Sequence, residues 1–268
     1  MLLTSVSGLG GPNEGGLSAD VWPPAFATWG RDGTSEGHSH HAIHLVFCRE
    51  GELRVRGESG RRWRRAAGLI TAPDVPHAID AIGSVIFVVF IDPESAVGMR
   101  YAAWLSGKVR TLSSSQREWA LARLPDSEAT PQQLHEWLTM VLDALGGDGS
   151  LPPRRLHPGV RRALERLQSA SSEGDLSLDV LARTAKLSRG RFMHVFAESV
   201  GIPLRRYLLW RRLQRATIGI AVGHALARAA IDAGFTDAAH MSRTFRRMFG
   251  MTPSSIRRTS QFARVIRG

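Results

Sequence analysis

The stretch GGDGSLPPRR, residues 146–155, constrains what this chain can fold into more than any other. Glycine frees the backbone and proline cannot continue a helix, so no regular element crosses it. We read a linker at residues 147–156, and the sequence texture differs on either side. Upstream, short runs rich in β-branched and aromatic residues are cut by Gly, Asp, Pro and Ser: IHLVFC (43–48), AGLITAP (67–73), VPHAI (75–79) and SVIFVVFID (84–92). Such runs read as antiparallel strands of a sandwich or barrel. From Pro93 the apolar residues fall three or four apart, as in helices. Thr130 with Pro131 reads as a helix start, ahead of a stripe of Leu134, Trp137, Leu138, Val141, Leu142 and Leu145. That stripe suits either the domain core or the face of a homodimer. The expected layout is a poorly ordered N-terminus (1–20), a β-rich domain ending in helices (21–146), the linker, and an all-helical domain (157–268).

Charge divides at the same place. From Leu151 to Gly268 there are 22 Lys+Arg against 7 Asp+Glu, a balance of +15, while the first 150 residues carry −4. A basic segment of this density favours a polyanion, nucleic acid first. The single cysteine, Cys48, excludes a disulfide within the chain and any Cys-rich zinc module. The N-terminus does not read as a signal peptide, and no apolar run is long enough to span a membrane. The expectation is a soluble, cytoplasmic, nucleoid-associated protein without a membrane partner.

Two segments of the basic half share one plan. In LSLDVLARTAKLSRGRFMHVFAESVG (176–201), Ser177 can cap a helix whose Leu178, Leu181, Ala182 and Ala185 share a face. Ser188 caps a second helix, with Phe192, Val195, Phe196 and Val200 inward and Gly201 as its stop. In ALARAAIDAGFTDAAHMSRTFRRMFGMTP (225–253), Gly234 makes the turn and Asp237 caps the second helix. There Met241, Phe245 and Phe249 are buried, and Gly250 ends the helix. A short helix, a tight turn and a second helix with a polar outer face is the helix-turn-helix plan. Two of them, joined by the basic helix PLRRYLLWRRLQRATIGIAVG (203–223), point to DNA.

LSLDVLARTAKLS, YLLWRRLQRA and AGFTDAAHMSRTFRRMFGMTPSSIR together resemble the DNA-binding domain of the AraC/XylS family of bacterial transcription regulators, over residues of about 157–260. The resemblance implies two recognition helices in successive major grooves of double-stranded DNA, with RNA polymerase as a further partner and activation as the commoner role. By position, the first unit offers Ser188, Arg189, Gly190, Arg191, Met193 and His194, and the second offers Ala239, Ser242 and Arg243. Arg243 is the expected base reader, since a guanidinium can bond O6 and N7 of guanine together. Thr244, Arg246 and Arg247 are expected at phosphates. Gly219 stands where the family usually has leucine and marks a candidate early end of the linking helix.

The N-terminal half resembles the cupin-like sensor domain common in this family, on GHSHHAIHLVF, REGELRVR and AGLITAPDVPHAI. The implied fold class is α+β: a cupin-like β-barrel with following helices, then an all-α domain with two helix-turn-helix units. Metal-binding cupins use His-x-His, a Glu about four residues on, and a later His. Here these positions hold His38, His40, His44 and His77. On one strand, residues 38, 40 and 44 would share a face and His41 would point the other way. Imidazoles suit Zn, Ni, Cu or Fe, so a divalent metal is a candidate cofactor. The other reading is a pocket for a small organic effector, lined by the same histidines with Val46 and Cys48.

The leading function is a sequence-specific transcription regulator controlled by a small effector in the cupin-like domain, and not an enzyme. The alternatives are a metal-responsive regulator, a metal cupin enzyme with a DNA-binding tail, and an architectural DNA binder.

Overall fold

The computed structural model describes residues 25–31, 33–57, 62–125, 130–146, 155–169, 176–221, 223–255 and 262–266. The expectations for residues 1–20 and for most of the linker lie outside these residues. The N-terminal part holds β1 (Ala25–Arg31), β2 (Ser35–His38), β3 (Ile43–Glu50), β4 (Leu53–Gly57), β5 (Arg64–Ala66), β6 (Gly68–Thr71), β7 (His77–Asp80) and β8 (Val85–Ile91). Helix α1 (Ala96–Leu105), β9 (Val109–Leu112), α2 (Ser114–Leu121) and α3 (Pro131–Ala144) follow. Then come α4 (Pro158–Ser169), α5 (Leu178–Ala185), α6 (Arg189–Val200), α7 (Leu204–Ala221), α8 (Leu226–Asp232), α9 (Ala238–Phe249) and β10 (Phe262–Ile266).

The strands form two antiparallel sheets, ordered β10-β1-β8-β3-β6-β9 and β2-β7-β4-β5. This corrects the expected closed barrel: no hydrogen-bonded ladder joins the sheets among the described residues. A second correction concerns the C-terminal part, which is not all helical. Strand β10 returns to pair with β1, Ala25 opposite Ile266.

Alternation along β3 sets the layers. Ile43, Leu45 and Phe47 face the helices and join Tyr101, Leu105, Leu134, Trp137, Leu138, Val141 and Leu142 in one core. Val46 and Cys48 face the other sheet and pack with Leu53, Val55, Leu69, Ile79 and Val88. The α3 stripe is therefore core and not a dimer face: Trp137 is 2% exposed, and its Nε1–H donates to the Ala120 carbonyl at 3.0 Å. Helix α3 starts as its sequence suggests. Thr130 accepts from the Gln133 amide while the Gln133 side chain accepts from the Thr130 amide, a reciprocal cap.

In the C-terminal part, α4, α5 and α6 close one core with the start of α7. The rest of α7 closes a second with α8 and α9. Helix α7 runs to Ala221, so Gly219 does not end it early. Gly219 is buried where α8 crosses, and an added Cβ would meet the Ala229 Cβ at 3.4 Å. That is ordinary contact, so the helix propensity of alanine decides the sign. Gly219→Ala is expected to raise the unfolding free energy by about 0.5–1 kcal/mol, read as a higher Tm.

Candidate DNA interface and interdomain histidine cluster

Each helix-turn-helix unit is set by local chemistry. Ser177 and Ser188 cap α5 and α6, accepting from the amides of Val180 and Arg191. The turn between them needs Lys186 at φ 57°. Asp237 caps α9, accepting from the His240 amide at 2.7 Å, and this bond comes first among the causes that hold its carboxyl below the usual range. Gly234 makes the α8–α9 turn at φ 82° and Gly250 ends α9 at φ 66°, the left-handed region that favours glycine.

Most of the expected DNA-facing residues reach solvent. On α9, Ala239, Arg243, Arg246 and Arg247 are exposed and Ser242 is half-buried. Thr244 is a correction: it is 3% exposed, between Met241 and Met248 on the buried side, and cannot meet a phosphate from there. On α6, Arg191, Met193 and His194 are exposed, and open space surrounds Gly190. The Ser188 side chain is engaged in its cap. Arg189 forms a two-pronged ion pair with Asp179 of α5, so its guanidinium braces the unit as well as facing outward.

The histidines are brought together differently from the single-strand expectation. His38 ends β2 in the four-stranded sheet, His40 lies in the connection, and His44 is on β3 of the six-stranded sheet. His77 opens β7, directly opposite His38. The four rings still meet, with centroids of His38 and His77 4.3 Å apart, His40 and His44 5.0 Å, and His40 and His77 5.1 Å. All four are buried. Burial pushes every one below the ordinary imidazole value. In His40 and His44 the neighbouring imidazoles push further, and His77 falls to about 3. Burial thus favours the neutral form of each ring. His44 stacks on Phe90, 4.5 Å between centroids. Val46 and Cys48 sit in the apolar layer between the sheets, against which Phe90 also packs.

The cluster lies where the two domains meet. His40 stacks on Trp210 of α7 and lies against Phe249 of α9, each 5.9 Å between centroids, and Phe90 meets Phe249 edge-on at 5.7 Å. The Glu36 amide of β2 donates to the Gly250 carbonyl at 3.0 Å. His41 points away from the cluster, with Nδ1 2.6 Å from Asp74 and Nε2 3.0 Å from Glu94. Its ring meets Tyr207 of α7, and Arg206 reaches Asp74 at 3.5 Å. Burial alone would lower the His41 pKa, but Glu94 and Asp74 together raise it to about 10. Deeper in the seam, burial lifts Asp92 to about 7, with Glu94 adding to the shift and Arg211 opposing it. The sequence analysis did not single out Phe90, Glu94, Tyr207 or Trp210 for this role. No local signal marks a residue whose partner lies on another domain.

The C-terminal part matches the family model described as "Helix-turn-helix domain" over residues 181–259. The Transcriptional activator RhrA of Rhizobium meliloti (strain 1021) is 30% identical over 128 residues, which are 46% of this chain and 40% of RhrA's own length. The MmsAB operon regulatory protein of Pseudomonas aeruginosa is 25% identical over 90% of this chain and 84% of that protein. ToxT of Vibrio cholerae shares the fold: an apo variant superposes with TM-score 0.60 and 10% identity, over 88% of this chain and 97% of that one. A ToxT structure described as bound to unsaturated fatty acid gives TM-score 0.56 at 9% identity, over 86% and 94%. The class is a helix-turn-helix protein with a β-rich domain ahead of its DNA-binding unit. Within that class, the chain resembles the transcriptional regulators of the AraC/XylS family.

Two tests follow from the seam. At Gly250 a Cβ would lie 2.3 Å from the Glu36 carbonyl oxygen, and the backbone is left-handed. Gly250→Ala is expected to cost at least about 1–2 kcal/mol from the backbone alone, read as a lower Tm. At His41 the folded pKa is raised, so its stabilising contribution is full below about pH 6.5 and is lost as pH rises through about 10. The Tm difference between wild type and His41→Gln should shrink as the pH is raised across that window.

Proposed function

We propose that this chain is a sequence-specific transcription regulator that binds double-stranded DNA through α6 and α9, under the control of a small effector held by its N-terminal domain. The observation that carries the reading is the outer face of α9. Arg243, Arg246 and Arg247 are exposed there on a rigid, capped helix, within a domain whose formal charge is strongly positive. Arg243 reads a guanine, while Arg246 and Arg247 hold phosphates and fix the register. On α6, Met193 and Gly190 present an uncharged patch suited to apolar contact with thymine methyl groups.

The β-rich domain is the sensor. Support comes from its direct contact with α7 and α9 and from the ToxT structure described as carrying a fatty acid. An effector acts only if it binds one arrangement of the two domains better than another. The protein works in the cytoplasm, beside RNA polymerase, and carries out no catalysis of its own.

The test is selection of a binding sequence from a randomised duplex pool, followed by Arg243→Ala and Arg246→Ala. Arg243→Ala should relax preference at one base pair by about 1–3 kcal/mol. Arg246→Ala should weaken all sequences alike and reduce the dependence of affinity on salt. If Arg243→Ala also weakened every sequence equally, Arg243 would be a phosphate contact. If no sequence were enriched, the chain would be a non-specific binder.

A further inference from the structure

Arg189 is the first residue of α6, and a recognition helix of this kind meets the bases with its N-terminal residues. The position works against the charge. The open N–H groups at a helix start carry about half a positive charge. The first turn of α6 adds Arg189 and Arg191 to it and holds no acid.

Asp179 supplies the missing negative charge from the neighbouring helix. It lies in the first turn of α5, where a carboxylate also suits that helix's own dipole. Its two oxygens accept from Nε–H and from one Nη–H of Arg189. That forked edge of a guanidinium is the one that also fits a phosphate, or the O6 and N7 of guanine. Asp179 therefore occupies the part of Arg189 that DNA would use. The hold is a light one. The two side chains are 65% and 42% exposed, and ion pairs that reach water to this degree contribute little. A phosphate or a guanine can take the guanidinium from Asp179, and the exchange leaves an unpaired carboxylate close to the negatively charged backbone.

We propose that Asp179 competes with DNA for Arg189: it holds the arginine in the free protein, gives it up when α6 enters the groove, and so sets how tightly the first helix-turn-helix unit binds. The proposal rests on the reading of α6 as a recognition helix. It accounts for an arginine at the tip of the less charged reader that is engaged within the protein instead of presented freely. It also gives that unit a threshold. A duplex engages the tip of α6 only where it offers Arg189 a better partner than Asp179, which disfavours sequences that hold the helix poorly.

The experiment is a double-mutant cycle in the full-length chain: wild type, Asp179→Asn, Arg189→Ala and the double variant, each checked for folding by circular dichroism. Affinity is measured at fixed salt on the selected duplex and on an unrelated one. Asp179→Asn is expected to tighten binding to the selected duplex by about two- to fivefold, the range of an exposed ion pair, and to narrow the preference over the unrelated duplex. In the Arg189→Ala background the same substitution should gain clearly less. An equal gain in both backgrounds would overturn the proposal, because removing any negative charge near DNA would then explain it. Weaker binding by a folded Asp179→Asn would overturn it as well, and would make Asp179 a residue that positions Arg189 for the groove. A second measurement needs no change at Asp179: the NMR signal of the Arg189 Nε–H should move when the selected duplex is added. An unmoved signal would mean that the ion pair survives binding, and the exchange would be wrong. A wild type that binds neither duplex would overturn the reading of α6 itself, a result distinct from wild-type binding that Asp179→Asn leaves unchanged, which would overturn the competition alone.

Discussion

Helix α7 has to be buried on almost every side, and the arrangement of the molecule follows from that requirement. An ordinary surface helix hides one stripe. Here Leu204, Tyr207, Trp210, Arg211, Leu213, Gln214, Ala216, Thr217, Ile218, Gly219 and Ile220 are all buried, which no single neighbour can achieve. The first helix-turn-helix core covers Leu204 and Tyr207, and the second covers Trp210, Leu213, Ala216 and Ile220. The N-terminal domain supplies the rest, with His40 over Trp210 and His41 against Tyr207. Arg211, Gln214 and Thr217 in this wrapping are matched, whereas the buried Tyr207 hydroxyl has no hydrogen-bond partner among the described residues. Arg211 bonds Gln214 at 3.3 Å and lies close enough to Asp92 to oppose the rise in its pKa. A helix that carries both DNA-binding units is thus also the surface on which the other domain rests.

That seam is built from two materials with different consequences. The His41, Asp74, Glu94 and Arg206 group holds by charge and weakens when a proton is lost. The His40, Trp210, Phe249 and Phe90 group holds by apolar contact and shape. Between them, the Glu36–Gly250 backbone bond sets the register of β2 against the end of α9. Interfaces of packed rings and fixed hydrogen bonds tend to occupy discrete arrangements instead of yielding continuously. This is the property a regulator needs.

What could be read in the sequence was the chemistry that acts within a few residues. Ser177, Ser188 and Asp237 cap the helices they precede, and Gly201, Gly234 and Gly250 take the positive φ expected of them. Thr244 could have been placed correctly: three residues after Met241 and four before Met248, it falls on the inward stripe of a helix. The four histidines meet, but not through the alternation expected, because alternation assumes one strand and the irregular residues 39–42 intervene. The seam was not legible. His40 and Trp210 are 170 positions apart, and nothing in either neighbourhood encodes the other. Strands β9 and β10 were missed for a related reason: each is a short edge segment whose pairing partner, not its own composition, makes it a strand.

The two recognition helices are unequal, and the inequality has a direction. On α6 the arginine at the tip, Arg189, is held by Asp179, and Gly190, Arg191, Met193 and His194 are exposed around it. On α9 three arginines are exposed. On the proposed reading, recognition by charge rests more on the second unit, and that unit is the one tied to β2. A helix of 12 residues is a rod of roughly 18 Å. Ala239 and Arg243, the residues proposed to read the groove, lie away from the end at Phe249 and Gly250, which rests on the N-terminal domain. A hydrogen-bonded helix moves as a rod, so on the proposed reading a shift at the seam would change where Arg243 points. The unit with more exposed arginines is thus the one whose helix end, at Phe249 and Gly250, rests on the other domain.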